Sequence, residues 1–149
     1  MSQFEDKLLL RVRYSETDQM GTFYNSRALE WFECGRSEIM RKLGIPYAEM
    51  ESRGAYLPLI EAHVSYQGRA QYDDLLELTT RVAFEGRARL RCEETIVHAQ
   101  SRLPVASGYT IHAFTDKSGR PQRPPAWFLE AVEARLKAQP PEDNGAAKE

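Results

Sequence analysis

The sequence predicts an α+β fold: a five-stranded antiparallel sheet with one long helix laid against it and a short helix near the end. Two observations carry this prediction. Five segments alternate apolar and polar residues with the period of a strand, whereas one stretch near the N-terminus repeats every three to four residues. The segments after residue 57 are joined by short turns, and parallel neighbours need a crossover of about a dozen residues or more, so these strands pair antiparallel.

The elements follow in order. Residues 7–14 put Leu8, Leu10, Val12 and Tyr14 on one side and Arg11 and Arg13 on the other, as in a half-buried strand. A polar loop runs from there to Gly21. Over residues 26–43 Leu29, Phe32, Gly35, Ile39 and Leu43 recur at helical spacing, which predicts a helix of about five turns. Asn25 or Ser26 stands where a side chain caps a helix start, and Gly44 with Pro46 stops it. Gly35 in the middle of the apolar stripe predicts close approach of another backbone, since glycine there costs about 1 kcal/mol against alanine. Ile60, Ala62, Val64 and Tyr66 alternate up to Gly68; Leu76, Leu78, Thr80, Val82 and Phe84 alternate up to Gly86. Residues 88–98 form the next strand. Val105, Ser107, Tyr109, Ile111 and Ala113 form the last one, which ends at the turn 116–119. After Pro124 and Pro125, residues 126–137 form the short helix, with Phe128, Val132 and Leu136 on one side.

Residues 1–138 are therefore read as one domain. Residues 139–149 hold proline and charge but no large apolar group, and are read as a disordered tail. One sheet with one helix leaves a sheet face and an edge uncovered, which predicts self-association.

Composition excludes several functions. The 149 residues include 20 basic and 22 acidic side chains, a net charge of −2, so no positive excess draws the chain to nucleic acid. No apolar run approaches the ~18 residues of a membrane span. Cys34 and Cys92 are too few for a disulfide framework, and the N-terminus does not read as a signal peptide; a cytoplasmic location is expected. His63, His98 and His112 fall in separate strands without cysteine or carboxylate at ligand spacing, so they read as polar strand-face residues and no metal site is expected. Glu33 and Arg36 stand three apart on the helix and read as a structural pair, and Cys34 reads as packed core.

The segment from Glu16 to Asn25, just ahead of the long helix, is where chemistry is expected. A helix N-terminus leaves backbone N–H groups unsatisfied and carries partial positive charge, which suits an oxyanion or a polarised carbonyl. Asp18 lies one glycine turn upstream of those donors. A carboxylate beside such a helix end can serve acyl transfer as nucleophile or general base. The plainer alternative is that Asp18 only bonds loop amides, as loop aspartates commonly do.

Arg13, Tyr14, Glu16, Asp18, Gly21, Tyr24, Asn25, Glu30, Trp31, Phe32, Glu33 and Arg36, at these spacings, resemble the signature of hot-dog-fold acyl-CoA thioesterases, the 4-hydroxybenzoyl-CoA thioesterase-like family. Ala70, Tyr72, Asp73 and Asp74 are similar to that family's motif between its second and third strands. The run from Gly108 through His112 to Asp116 is similar to its last strand and turn. The resemblance covers residues 7–135. It implies a sheet wrapped around the long helix, subunits joined edge to edge as a homodimer or homotetramer, and an active site at the interface. It implies hydrolysis of an acyl-CoA substrate to free acid and CoA without a cofactor. Asp18 takes the place of the catalytic carboxylate, the amide of Asn25 polarises the thioester carbonyl, and Gly21 and Tyr24 contact substrate. Where many family members carry histidine this chain has Asn25, which is no acid or base near neutral pH. Its side chain is accordingly expected to cap the helix. Arg87, Arg89 and Arg91, with Arg69, are candidates to meet the CoA phosphates. The alternative from another class is a non-catalytic acyl-CoA-binding hot-dog protein.

Overall fold

The computed structural model describes residues 3–138, so the tail expected at residues 139–149 lies outside the described residues. The chain forms β1 (Gln3–Arg11), α1 (Arg27–Lys42), α2 (Tyr47–Ser52), β2 (Leu59–Tyr66), β3 (Leu75–Glu85), β4 (Arg89–His98), β5 (Pro104–Ala113) and α3 (Ala126–Ala138). One turn of 3-10 helix sits at Tyr14–Glu16. The sheet runs β1-β3-β4-β5-β2 with every neighbour antiparallel. The α+β sheet on one long helix is thus the fold that the sequence predicts.

Residues paired across strands point to the same face. The register lines up Leu8, Leu78, Ile96, Ala106 and Tyr66 in one inward row, and Phe4, Val82, Cys92, Thr110 and Ala62 in another. Helix α1 lies on this face with Ala28, Trp31, Phe32, Gly35 and Ile39 turned to it, all buried. A Cβ at Gly35 would meet the hydroxyl of Thr80 and come within 2.8 Å of the Leu78 side chain. Glycine is needed for close approach, as expected, but what approaches is the side-chain layer of β3 and not a backbone.

Several elements differ from their sequence pattern for identifiable reasons. β1 starts earlier than residue 7. Phe4 is buried, but Asp6 interrupts the apolar alternation on the inward face, where it accepts a 2.6 Å bond from Lys42. The strand also ends earlier, and Tyr14, expected inward, is 78% exposed. α2 is absent from the sequence reading because six residues are too few to display a period; Pro46 sets its start and Met50 buries fully. Cys34 faces outward from α1 and is exposed, not packed. Glu33 and Arg36 do not pair; Arg36 turns inward and donates to the Thr110 hydroxyl at 3.4 Å. His112 is an interior group, not a strand-face one.

The core has two apolar clusters. One gathers Val12, Phe23, Trp31, Phe32, Leu76 and Ile96 around the first half of α1. The other gathers Phe4, Ile39, Met40, Leu90, Phe114 and Phe128 beneath its second half. Between them lies a polar layer of Arg36, Thr80, Glu94, Thr110 and His112. Glu94 is 1% exposed; its Oε2 accepts a 2.7 Å bond from Thr80, while its Oε1 has no partner among the described residues. Burial pushes the Glu94 carboxyl up to about 8, against the opposing pull of Thr80 and Arg36. Burial, aided by the Arg36 charge, brings His112 down to about 4, and its Nδ1 donates to the Leu57 carbonyl at 3.0 Å.

These two groups set opposite pH slopes. A histidine held below its ordinary value loses stability as pH falls from 6.5 toward about 4. The folded chain keeps the Glu94 proton between the ordinary 4.5 and about 8, where the unfolded chain has released it, so stability falls as pH rises through that window. Glu94→Gln removes this cost. Its gain in melting stability over the parent chain should grow from pH 5 to pH 8, reaching on the order of a few kcal/mol. Thermal melts across this range check it; a gain independent of pH contradicts it.

Candidate active site

The site is built on the chain between β1 and α1. Val12 donates its N–H to the Asp74 carbonyl at 3.0 Å, which ends the strand, and the 3-10 turn follows. A small hairpin then closes: Thr17 bridges Phe23, and the Asp18 N–H donates to the Thr22 carbonyl at 2.9 Å. Gly21 forms its tip with φ +80, a left-handed conformation that glycine adopts without strain, and donates its N–H to the Asp18 carbonyl at 3.1 Å.

Glu16 fastens this hairpin to the helix. It is 4% exposed; Oε1 accepts the Arg13 N–H at 2.7 Å and Oε2 accepts the Trp31 indole N–H at 2.8 Å. Its own carbonyl accepts the Tyr24 N–H at 2.8 Å, drawing the returning leg of the hairpin alongside. Phe23 packs on Trp31, with ring centroids 4.9 Å apart.

Asp18 is half-buried. Its Oδ1 accepts the Met20 N–H at 2.8 Å, and its Oδ2 accepts no hydrogen bond among the described residues. The loop-bonding alternative therefore accounts for one carboxylate oxygen and leaves the other available. Asn25 stands at the end of the returning leg, where its carbonyl accepts the Tyr66 hydroxyl at 2.6 Å. The backbone N–H groups of Asn25 and Ser26 make no hydrogen bond among the described residues, so the start of α1 presents open donors.

The capping expectation fails here. Ser26 precedes the first helical residue and already has helical dihedrals, with no side-chain cap bond. The exposed Asn25 carboxamide bonds no backbone N–H among the described residues. A cap residue normally adopts extended dihedrals, which aim its side chain back at the first turn; this chain enters the helix without that bend.

The hairpin brings Asp18, Gly21, Tyr24 and Asn25 into one loop, with Tyr24 52% exposed beside the helix start. It does not bring the β4 arginines there. Arg87 and Arg89 lie at the far end of the β3–β4 hairpin, and Arg91 sits 4.0 Å over the Tyr109 ring and pairs with Glu93 at 3.2 Å. The sequence places Glu16 and Trp31 in the family signature and Tyr66 in a strand, but shows none of the contacts these three make. Glu16 sits in a polar loop by sequence, and its partner fifteen residues later shows it to be interior. No group of three or more His, Cys, Asp or Glu that could hold a metal ion occurs among the described residues.

An antiparallel sheet on a long helix defines a class of fold shared with known proteins. The profile of the thioesterase-like superfamily matches residues 12–132, and the chain belongs to that superfamily. It is 38% identical over 65 residues to the Bacillus subtilis protein named "Putative acyl-CoA thioesterase YneP", a match spanning 44% of this chain and 47% of that one. It is 29% identical over 115 residues to a 1,4-dihydroxy-2-naphthoyl-CoA hydrolase of Synechococcus elongatus, covering 76% of this chain and 83% of the other. The crystal structure of a DHNA-CoA thioesterase from Staphylococcus aureus superposes with a TM-score of 0.79 at 28% identity, covering 89% of each chain.

The absent cap bond has a measurable consequence. Asn25→Ala should change stability by no more than about 0.5 kcal/mol, as at a surface position with nothing to lose. Asn25→Asp should fold at least as well, since a carboxylate suits the helix start, yet slow any reaction that builds negative charge there. Thermal melts of both variants check the first point. A loss above about 1 kcal/mol in the alanine variant restores the capping account.

Proposed function

We propose that the protein is an acyl-CoA thioesterase that hydrolyses a CoA thioester to the free carboxylic acid and CoA. The observation that carries this reading is a carboxylate oxygen with no partner among the described residues, Asp18 Oδ2, held in a hairpin that ends at the open N–H groups of α1. Superfamily membership supports the same chemistry.

In this reading the thioester carbonyl oxygen lies toward the Asn25 amide. The partial positive charge of the helix start stabilises the oxyanion as it forms. Asp18 acts in one of two ways. As a general base it takes a proton from water, whose oxygen attacks the carbonyl carbon; the tetrahedral intermediate then expels the CoA thiolate, which takes up the proton. As a nucleophile it attacks the carbon itself, giving a mixed anhydride and CoA thiolate, and water hydrolyses the anhydride. Neither route calls for a cofactor. Gly21 and Tyr24, exposed on the same loop, line the approach of the substrate.

The edge strand β2 supports a homodimer, with pairing of dimers into a homotetramer as the larger form. Leu59, Ile60 and Tyr66 are 52%, 47% and 52% exposed along it, and a second copy adding its own β2 would cover this edge. Since Tyr66 holds the Asn25 carbonyl, such an interface adjoins the site. We place the reaction in the cytoplasm, a compartment in which Cys34 and Cys92 stay free thiols.

Thiol release from a panel of short, long and aromatic CoA esters tests the reading. Asp18→Ala should lower turnover by at least about 10²-fold, the lower range for loss of a positioned acid–base group, with melting unchanged. Turnover like the parent chain's overturns the assignment. Acyl-CoA binding without thiol release in the parent chain would establish the binding protein instead.

A further inference from the structure

We infer that Arg69 is a positioning residue for Asp18: acting through Met20, its guanidinium fixes the orientation of the carboxylate. The inference rests on the thioesterase reading of Asp18 and concerns what holds that group in place.

Arg69 lies on the connection between β2 and β3, far from Asp18 in sequence. Its Nη2 donates to the Met20 carbonyl. The N–H of the same residue is what Asp18 Oδ1 accepts, at 2.8 Å. Met20 therefore stands between the two charged groups, with its carbonyl held by one and its N–H held by the other. Its side chain is 72% exposed and gives the loop tip little packing, so the guanidinium does what a buried side chain would otherwise do.

Arg69 is itself held from behind. Its carbonyl accepts His98 Nε2 at 2.8 Å, which places the Nε2 proton on that side of the ring. His98 Nδ1 lies 4.0 Å from the Asp74 carboxylate, and Asp74 in turn accepts the Gln71 N–H at 2.8 Å. The next residue, Ala70, accepts the Phe23 N–H at 2.9 Å and donates to the Thr22 hydroxyl at 3.1 Å. Contacts thus run unbroken from the end of β4 through His98, Arg69 and Met20 to Asp18. The rival role for Arg69, a contact to CoA phosphate, leaves the carboxylate untouched and acts on binding. The two roles separate experimentally.

The full chain with Arg69→Ala and Arg69→Lys is assayed on an acyl-CoA and on the matching acyl-pantetheine thioester, which lacks the nucleotide phosphates. A misplacement of about 1 Å costs up to ~10²-fold, so Arg69→Ala should lower kcat about tenfold on both thioesters with KM within about twofold. Arg69→Lys, which keeps a charged donor, should recover part of that kcat. Exchange of the Met20 amide hydrogen should be faster in Arg69→Ala than in the parent chain. A rise in KM confined to the CoA ester, an unchanged kcat, or an unchanged Met20 exchange overturns the inference. The exchange measurement needs no turnover. A parent chain that hydrolyses nothing therefore refutes the thioesterase reading while Met20 still reports on the role of Arg69.

Discussion

The bond from the Trp31 indole to the buried Glu16 carboxylate is the interaction on which the site depends. A carboxylate that leaves water needs its lone pairs satisfied, and leaving such a buried acceptor without a partner costs about 1–3 kcal/mol. Glu16 finds its partners in the Arg13 amide ahead of it and in Trp31 on the second turn of α1. Neither end of the loop can then move independently of the helix. The hairpin at Asp18 grows out of this anchored turn, and its returning leg is tied to the Glu16 carbonyl by Tyr24. The acid and the open helix N–H groups keep one geometry because one buried carboxylate holds both.

The helix in turn is held by features that favour position over maximal burial. Gly35 lets α1 settle onto Leu78 and Thr80. The polar layer beneath it, with Glu94 only partly satisfied, divides two apolar clusters that an all-apolar core would merge. Interior polar groups can enforce one register of packing at the expense of stability. Here that register bears on where the first turn of α1, with its open N–H groups, meets the hairpin. The charge of Arg36 is spent in this layer, between Thr110 and His112, and is not available to the helix surface.

Much of this was legible in the sequence. Strand alternation, the helical stripe and the turn residues predict the sheet and α1 to within a few residues, because burial on one face imposes those periods directly. The motif through Asp18, Gly21 and Asn25 identifies the loop. What escaped were features in which a long-range partner overrides the local pattern. The strand reads from residue 7 because Asp6 breaks the apolar alternation, and nothing local shows its bond from Lys42 or that of Glu16 from Trp31. Arg36 reads as the partner of its helical neighbour Glu33, whereas it turns inward to the Thr110 hydroxyl on β5. Asn25 reads as a cap by residue type, but cap geometry depends on the dihedrals at the helix entry, and these follow from the hairpin. Arg69 shows no local sign of its contact with Met20.

A double-mutant cycle on the single-turnover rate of thioester hydrolysis tests most directly whether the Glu16–Trp31 bond acts by holding Asp18. Trp31→Phe keeps an aromatic ring against Phe23 and deletes the indole donor; Asp18→Asn deletes the acid. If the bond works through the carboxylate, Trp31→Phe slows the parent chain and has no further effect once Asp18 is asparagine, a fully coupled cycle. If Trp31→Phe slows both backgrounds by the same factor, the two residues act independently and the account of how this site is held together is wrong.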